Sequence, residues 1–349
     1  MPYVKYAGRY FAAANSGDGF VSRFDEIFGS LPRLYIIKGG SGTGKSRMMG
    51  DIANEAEARG YTVGRYYCSA DADSLDGVVI CELGVGMIDG TAPHVTDPKY
   101  PGAVDEIVDL GRFWDRGKLE EHGGEIKDLI DRKRRLFGCA YALLSSAKNA
   151  DSVINSMQDA AIDLPKLIAA AARLTRHWKS GSGFRKYTRI LDAFTMKGRA
   201  RLNSFAESAD RIYTVGGRHG AGDRFLREII HISELKGHPV FVAPDPLNMT
   251  SVLEIMIPEL GIAFVRDAGD REVEKHINTE RFIIPELLRP FKPCLTEAKR
   301  LKRGALDSVD VILSEAAKIH FRLEEIYGSA MDFTAKEELT RALTERILG

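Results

Sequence analysis

The 349-residue chain repeats itself. Arg33-Leu34-Tyr35-Ile36-Ile37-Lys38-Gly39 lies over Arg211-Ile212-Tyr213-Thr214-Val215-Gly216-Gly217 at an offset of 178, which also places Gly42 on Gly220 and Gly44 on Gly222. After one deletion the offset becomes 177. It then pairs Gly60 with Gly237, Val63 with Val240 and Ser74 with Ser251, and carries Ile80-Cys81-Glu82-Leu83-Gly84-Val85 onto Ile257-Pro258-Glu259-Leu260-Gly261-Ile262. So long a run in one register marks an internal duplication, and whatever one copy folds into, the other must fold into as well. The length suits two domains rather than one core.

Each copy opens with a short β segment, Ile36-Ile37 or Thr214-Val215, that enters a glycine-rich loop. A helix is predicted to follow, over 46–59 and 224–235, with Met48, Met49, Ile52 and Ala56 on one face and Gly60 and Gly237 as stops. Second strands are predicted at 62–67 and 240–243, and further apolar runs at 77–80 and 85–88. This rhythm predicts an α/β fold: two tandem parallel-sheet domains with helices on their faces. From 104 to 176 the pattern reads as helical, with interruptions at 111–115 and 122–124. Its counterpart runs from about 297 to the C-terminus and includes an amphipathic stretch at 314–327 with Ile319, Leu323 and Ile326 on one side. The linker-like Lys179-Ser180-Gly181-Ser182-Gly183 sets the expected domains at 1–178 and 185–349, each with a helical extension.

The loop Gly39-Gly40-Ser41-Gly42-Thr43-Gly44-Lys45-Ser46 matches G-x-x-x-x-G-K-[ST] at every fixed position, between a strand and a helix. Glycines let consecutive backbone N–H groups crowd around a phosphate with no Cβ in the way. The helix aims its positive end at the same anion. Lys45 supplies a charge between the β- and γ-phosphates and the Ser46 hydroxyl ligates Mg²⁺, so the expected ligands are ATP and magnesium. A dinucleotide-binding G-x-G-x-x-G does not fit, because Lys45 occupies its last position.

A carboxylate at the end of a neighbouring strand completes such a site. Asp89, closing Val85-Gly86-Met87-Ile88-Asp89, is the expected magnesium ligand, and Glu82 is its rival. In the second copy the aligned loop puts Asp223 at Lys45 and Arg224 at Ser46, and Asp89 falls on Arg266, whereas Glu82 survives as Glu259. Asp89 therefore goes with the nucleotide site and Glu82 with the scaffold, and the second copy is expected not to bind nucleotide. Thr91 and His94 are candidates to face the γ-phosphate or the attacking water, with strand capping as the equal alternative. Asp71, Asp73 and Asp76 read as a solvated turn ahead of an acceptor site. Arg112, Arg116 and Arg218 are candidates for a finger, and Arg218 or His219 for a contribution across the copies.

Lys plus Arg and Asp plus Glu each total 49, so no excess of positive charge favours a nucleic-acid backbone as partner. Cys68, Cys81, Cys139 and Cys294 lie far apart, which reads as buried thiols in a reducing compartment. The start of the chain lacks the apolar core of a signal peptide and no run approaches eighteen apolar residues. No membrane and a cytoplasmic location are expected.

The stretch 33–46, the segment Ser74-Leu75-Asp76-Gly77 and the run from Glu82 through Asp89-Gly90-Thr91-Ala92-Pro93-His94 resemble a family of bacterial tandem P-loop ATPases, as do the duplication and Asp97-Pro98, Pro101-Gly102 and Asp105-Glu106 beyond it. The resemblance covers nearly the whole chain. It implies two P-loop NTPase-fold domains and ATP binding, with no known second substrate; Asp223 and Arg224 depart from an intact second loop. Three functions are in play: an ATPase whose hydrolysis changes the packing of the copies, a kinase for a small acceptor near 71–76, and a nucleotide-gated scaffold, which the lack of a Glu after Asp89 favours. No N-K-x-D motif occurs, so ATP is expected over GTP.

Overall fold

The computed structural model describes residues 7–217 and 220–349. The first copy supplies β1 (Gly8–Phe11), β2 (Ala13–Ser16), β3 (Gly19–Ser22), α1 (Phe24–Phe28), β4 (Arg33–Lys38), α2 (Lys45–Ala58), β5 (Val63–Tyr67), β6 (Leu75–Ile80), β7 (Val85–Asp89), β8 (Asp105–Asp109), α3 (Arg116–Glu121), α4 (Gly123–Asp159) and α5 (Leu164–Thr175). The second supplies β9 (Lys186–Thr188), β10 (Asp192–Thr195), β11 (Gly198–Arg201), α6 (Ser204–Ser208), β12 (Arg211–Gly216), α7 (Ala221–Lys236), β13 (Val240–Pro244), β14 (Val252–Ile257), β15 (Ile262–Val265), β16 (Lys275–Asn278), α8 (Pro285–Leu288), α9 (Lys292–Ser329) and α10 (Phe333–Leu348).

Two six-stranded, mostly parallel sheets result, ordered β1-β5-β6-β7-β4-β8 and, read from the corresponding edge, β9-β13-β14-β15-β12-β16. The duplication seen in sequence is thus repeated strand for strand. One strand in each sheet, β6 or β14, runs against the others. The expectation of wholly parallel sheets is corrected there, and connection length is the reason: residues 68–74 and 81–84 are too short for a crossover, which takes a dozen residues or more. A second correction concerns 104–176, which is not helical from its start: β8 lies at 105–109 and pairs in parallel with β4.

The sheets share a core. Ile36, Tyr66, Val79 and Ile88 of the first join Ile212, Phe241, Met256 and Val265 of the second, with Phe24 and Phe28 of α1 and Phe205 of α6 in the same cluster. The outer faces are covered by α2, through Met48, Met49 and Ile52, and by α7, through Phe225 and Ile229.

That cover is completed by exchange. Helices α4 and α9 lie antiparallel, with Ile126 near Ile326, Leu144 near Leu313 and Ile154 near Leu295. Each therefore delivers the helix after it to the other copy's sheet. Leu343 and Leu348 of α10 pack with Met48 and Ile52 of α2, and Leu167 and Ala171 of α5 pack with Phe225 and Ile229 of α7. The joints correspond: Asp332 N–H donates to Phe113 O at 3.0 Å, and Asp163 N–H to Phe282 O at 2.7 Å. The chain divides at 179–184, but α5 packs with the sheet after that point and α10 with the sheet before it. Among the described residues no helix is long and apolar enough to cross a membrane.

Candidate functional site

Strand β4 ends at Lys38 and the chain turns through the glycine loop into α2. Gly42 and Gly44 have φ of 70° and 81°, left-handed values that glycine adopts at no steric cost. No side chain caps the start of α2, so its first-turn N–H groups remain available to an anion at the loop. Thr43 Oγ1 donates to Gly40 O at 2.9 Å and closes the turn.

Lys45 is buried, and its ammonium donates to Gly39 O at 3.0 Å and Gly40 O at 2.6 Å and lies 3.4 Å from Asp89 Oδ2. Asp89 is the last residue of β7, opposite Ile37 of β4, so strand register alone delivers the carboxylate to the loop. Its Oδ1 accepts from Thr91 N at 2.9 Å and Thr91 Oγ1 at 2.5 Å. Ser46 Oγ accepts from Leu75 N at 2.9 Å, at the start of β6. Because β6 is reversed, its first residues reach the same sheet edge as the last residues of β4 and β7. Residues 39–46 and Asp89 are thus brought together. Glu82 lies beyond the other end of β7, about 16 Å away at strand rise. There it accepts from Thr62 N and Thr62 Oγ1 at 2.8 and 2.6 Å. Glu259, its counterpart, holds Ser182 and His238.

His94 is brought to this edge but faces inward. Its ring stacks on Phe24 at 4.5 Å, Nδ1 donates to Asp89 O at 2.9 Å, and Nε2 lies 3.3 Å from Asp76 Oδ2. Burial opposes its charge most strongly, yet the hydrogen bond and charge of Asp76, aided by Asp89, outweigh it and raise the pKa above the usual 6.5. With both ring nitrogens facing acceptors, His94 positions the end of β7 rather than meeting a phosphate. Thr91 is committed to Asp89 in the same way. Lys38 pins the intervening loop through Gly90 O, Thr96 O and Asp97 Oδ1 at 2.9, 2.8 and 3.0 Å.

The acidic segment after β5 is not a solvated turn. Asp71 and Asp76 are buried, and Lys197 of the second copy reaches Asp71 at 2.8 Å and Asp73 at 2.5 Å. The cysteines also depart from expectation: all four are free, but Cys139 and Cys294 are exposed. Burial, then Asp76, push the Cys68 thiol well above its ordinary pKa.

The second loop needs a different alignment. Asp223 Oδ1 accepts from Val252 N at 2.5 Å, the bond that Ser46 makes with Leu75, and buried Phe225, Leu226 and Ile229 match Met48, Met49 and Ile52. The offset is therefore already 177 in the helix, which places Gly222 at Lys45 and Asp223 at Ser46. The deletion lies inside the loop. The place of Lys45 is then taken by Gly222, and that of Ser46 by a carboxylate tied to Arg227 at 2.7 Å. Arg266, opposite Asp89 in the repeat, pairs with Asp192. Arg218 and His219 lie outside the described residues. The Arg112 guanidinium lies over the Phe113 ring, 5.1 Å from its centroid.

What the sequence did not reveal is that α9 covers the first loop. A Cβ on Gly40 would lie 2.8 Å from the Tyr327 ring, and one on Gly42 2.6 Å from Glu324 O. One turn back on α9, His320 Nδ1 accepts from Lys133 Nζ of α4 at 2.9 Å, and His320 Nε2 lies 3.4 Å from Glu324 Oε1. Burial first, then the charge of Lys133, hold His320 down to about 4. A signal for this pair existed: Lys133 and His320 interrupt apolar stripes, between Leu129 and Leu136 and between Ala316 and Leu323.

Comparison of the chain with protein-family models, curated proteins and solved structures finds no match.

Proposed function

We propose that the chain binds ATP with magnesium at 39–46 and hydrolyses it, while the second copy binds no nucleotide. The observation that carries this reading is the Lys45 ammonium, buried in a glycine turn at a helix start and 3.4 Å from a strand-end carboxylate. The residues suit the metal: the Ser46 hydroxyl and the Asp89 carboxylate are hard oxygen donors at one sheet edge and would hold a magnesium ion there. Magnesium, when bound, neutralises charge on the β- and γ-phosphates. Loop N–H groups and Lys45 stabilise the same charge from the protein side, with little reorganisation. Thr91 holds the Asp89 carboxylate and His94 its backbone, so the ligand is fixed before substrate arrives.

The contact of Tyr327 and Glu324 with the loop favours a coupled ATPase, since filling the cradle presses on a helix of the other copy. Free cysteines support a reducing, cytoplasmic setting. The test is ATP binding and steady-state phosphate release by the parent and by Lys45→Ala. Losing a charge-assisted contact is expected to weaken ATP binding about tenfold to a hundredfold and to reduce turnover at least as much. Equal behaviour of the two proteins would remove the site assignment.

A further inference from the structure

The two long helices carry their own internal control. At an offset of 169 the seam of α4 falls on that of α9: Ile126 on Leu295, Leu129 on Ala298, Ala140 on Val309, Leu144 on Leu313 and Ile154 on Leu323. The same offset places Lys133 on Lys302 and Asp151 on His320. The paired helices therefore contain two equivalent polar layers, one toward each loop. In the layer toward the second loop, Lys302 Nζ meets Asp151 Oδ1 at 2.5 Å, a partly buried ion pair. In the layer toward the first, the aspartate is replaced by His320, and Lys133 meets a neutral imidazole at 2.9 Å. Among the described residues no carboxylate lies within ion-pair distance of Lys133.

A largely buried ammonium with no carboxylate in contact is costly, and a fold holds one where an anion compensates it. The layer sits one turn from the α9 backbone that touches Gly42, and the charge of Lys45 reaches Lys133, His320 and Glu324, which puts the layer beside the cradle. We infer that Lys133, oriented by His320 and Glu324, contacts the terminal phosphate of the nucleotide and serves as the second cation of the site. The inference rests on the ATPase reading above. Burial opposes the charge of Lys133 most strongly and Lys45 also lowers its pKa, while Cys68 and Glu324 act the other way, which fits two cations converging on one anion. During hydrolysis a water oxygen bonds to the γ-phosphorus and the bridging P–O bond breaks. Its electron pair goes to the ADP oxygen, and the water proton ends on phosphate or solvent. Lys133 donates hydrogen bonds to the γ-oxygens as their charge redistributes and transfers no atom.

Two substitutions test it. Lys133→Met keeps the stem in the seam and removes the charge. His320→Asp rebuilds the lysine–aspartate layer already present at the other end and should fold while neutralising Lys133. Both are expected to lower ATP affinity by roughly tenfold or more, to leave ADP affinity unchanged, and to reduce turnover; Lys133→Arg should restore part of it. Unchanged ATP-to-ADP preference and turnover in both variants would overturn the assignment. Lys45→Ala separates the two readings, because it should weaken both nucleotides. If Lys45→Ala has no effect, the ATPase reading fails; if only the Lys133 and His320 variants have none, this inference alone fails.

Discussion

At the scale of single residues, His94 shows how a plausible catalytic group becomes a structural one. Its imidazole spans Asp89 and Asp76 beneath Phe24. Because its folded pKa is raised, the stability it contributes is fully present below its unfolded value near 6.5 and is lost as pH rises through the folded value. Denaturant midpoints of the parent and His94→Asn should therefore differ more at pH 6 than at pH 9. A gap independent of pH would mean the imidazole is held neutral. That Lys45, Ser46 and Asp89 come together was legible, the first two from the loop motif and Asp89 from its place at a strand end and its loss in the second copy. That His94 and Thr91 turn toward Asp89 was not legible, since one sequence does not say which polar groups in a loop find each other.

At the scale of elements, β4, α2 and β5 were readable because their apolar periods are strong, and β7 because its run ends in Asp89. Strand β6 was readable as an element, but its direction was not, although the seven residues before it already ruled out a crossover. Strand β8, Asp-Glu-Ile-Val-Asp, offers too few apolar positions to stand out beside a long helix. The placement of α5 and α10 depends on a pairing of α4 with α9 across about 170 residues, which local pattern cannot encode. Leu343 and Leu167, both nearly inaccessible, test that placement. Leu343→Ala should cost about 2–5 kcal/mol and loosen hydrogen-exchange protection in β4, β7 and β8, on the far side of the linker from the mutation. Leu167→Ala should do the same in β12 to β16. Loss confined to the mutated residue's own half of the sequence would contradict the exchange.

At the scale of the whole molecule, each half lacks the helix that completes the cover of its own sheet. A chain divided into 1–181 and 182–349 should give fragments that stay largely unfolded alone, with exposed apolar sheet faces. Mixed and refolded together, they should form a one-to-one complex with the parent's nucleotide affinity, read by size-exclusion chromatography and circular dichroism. A fragment that folds cooperatively by itself would show the borrowed helix to be dispensable.

The helix whose far end rests on Gly40 and Gly42 is rooted beside the opposite sheet, and at 38 residues it spans about 57 Å. Such a rod joins the glycine loop at its tip to the opposite sheet at its root. A displacement of an ångström at the tip becomes a tilt felt at the root, so under the proposed function the second half is placed to register, by its posture, whether the loop of the first is filled.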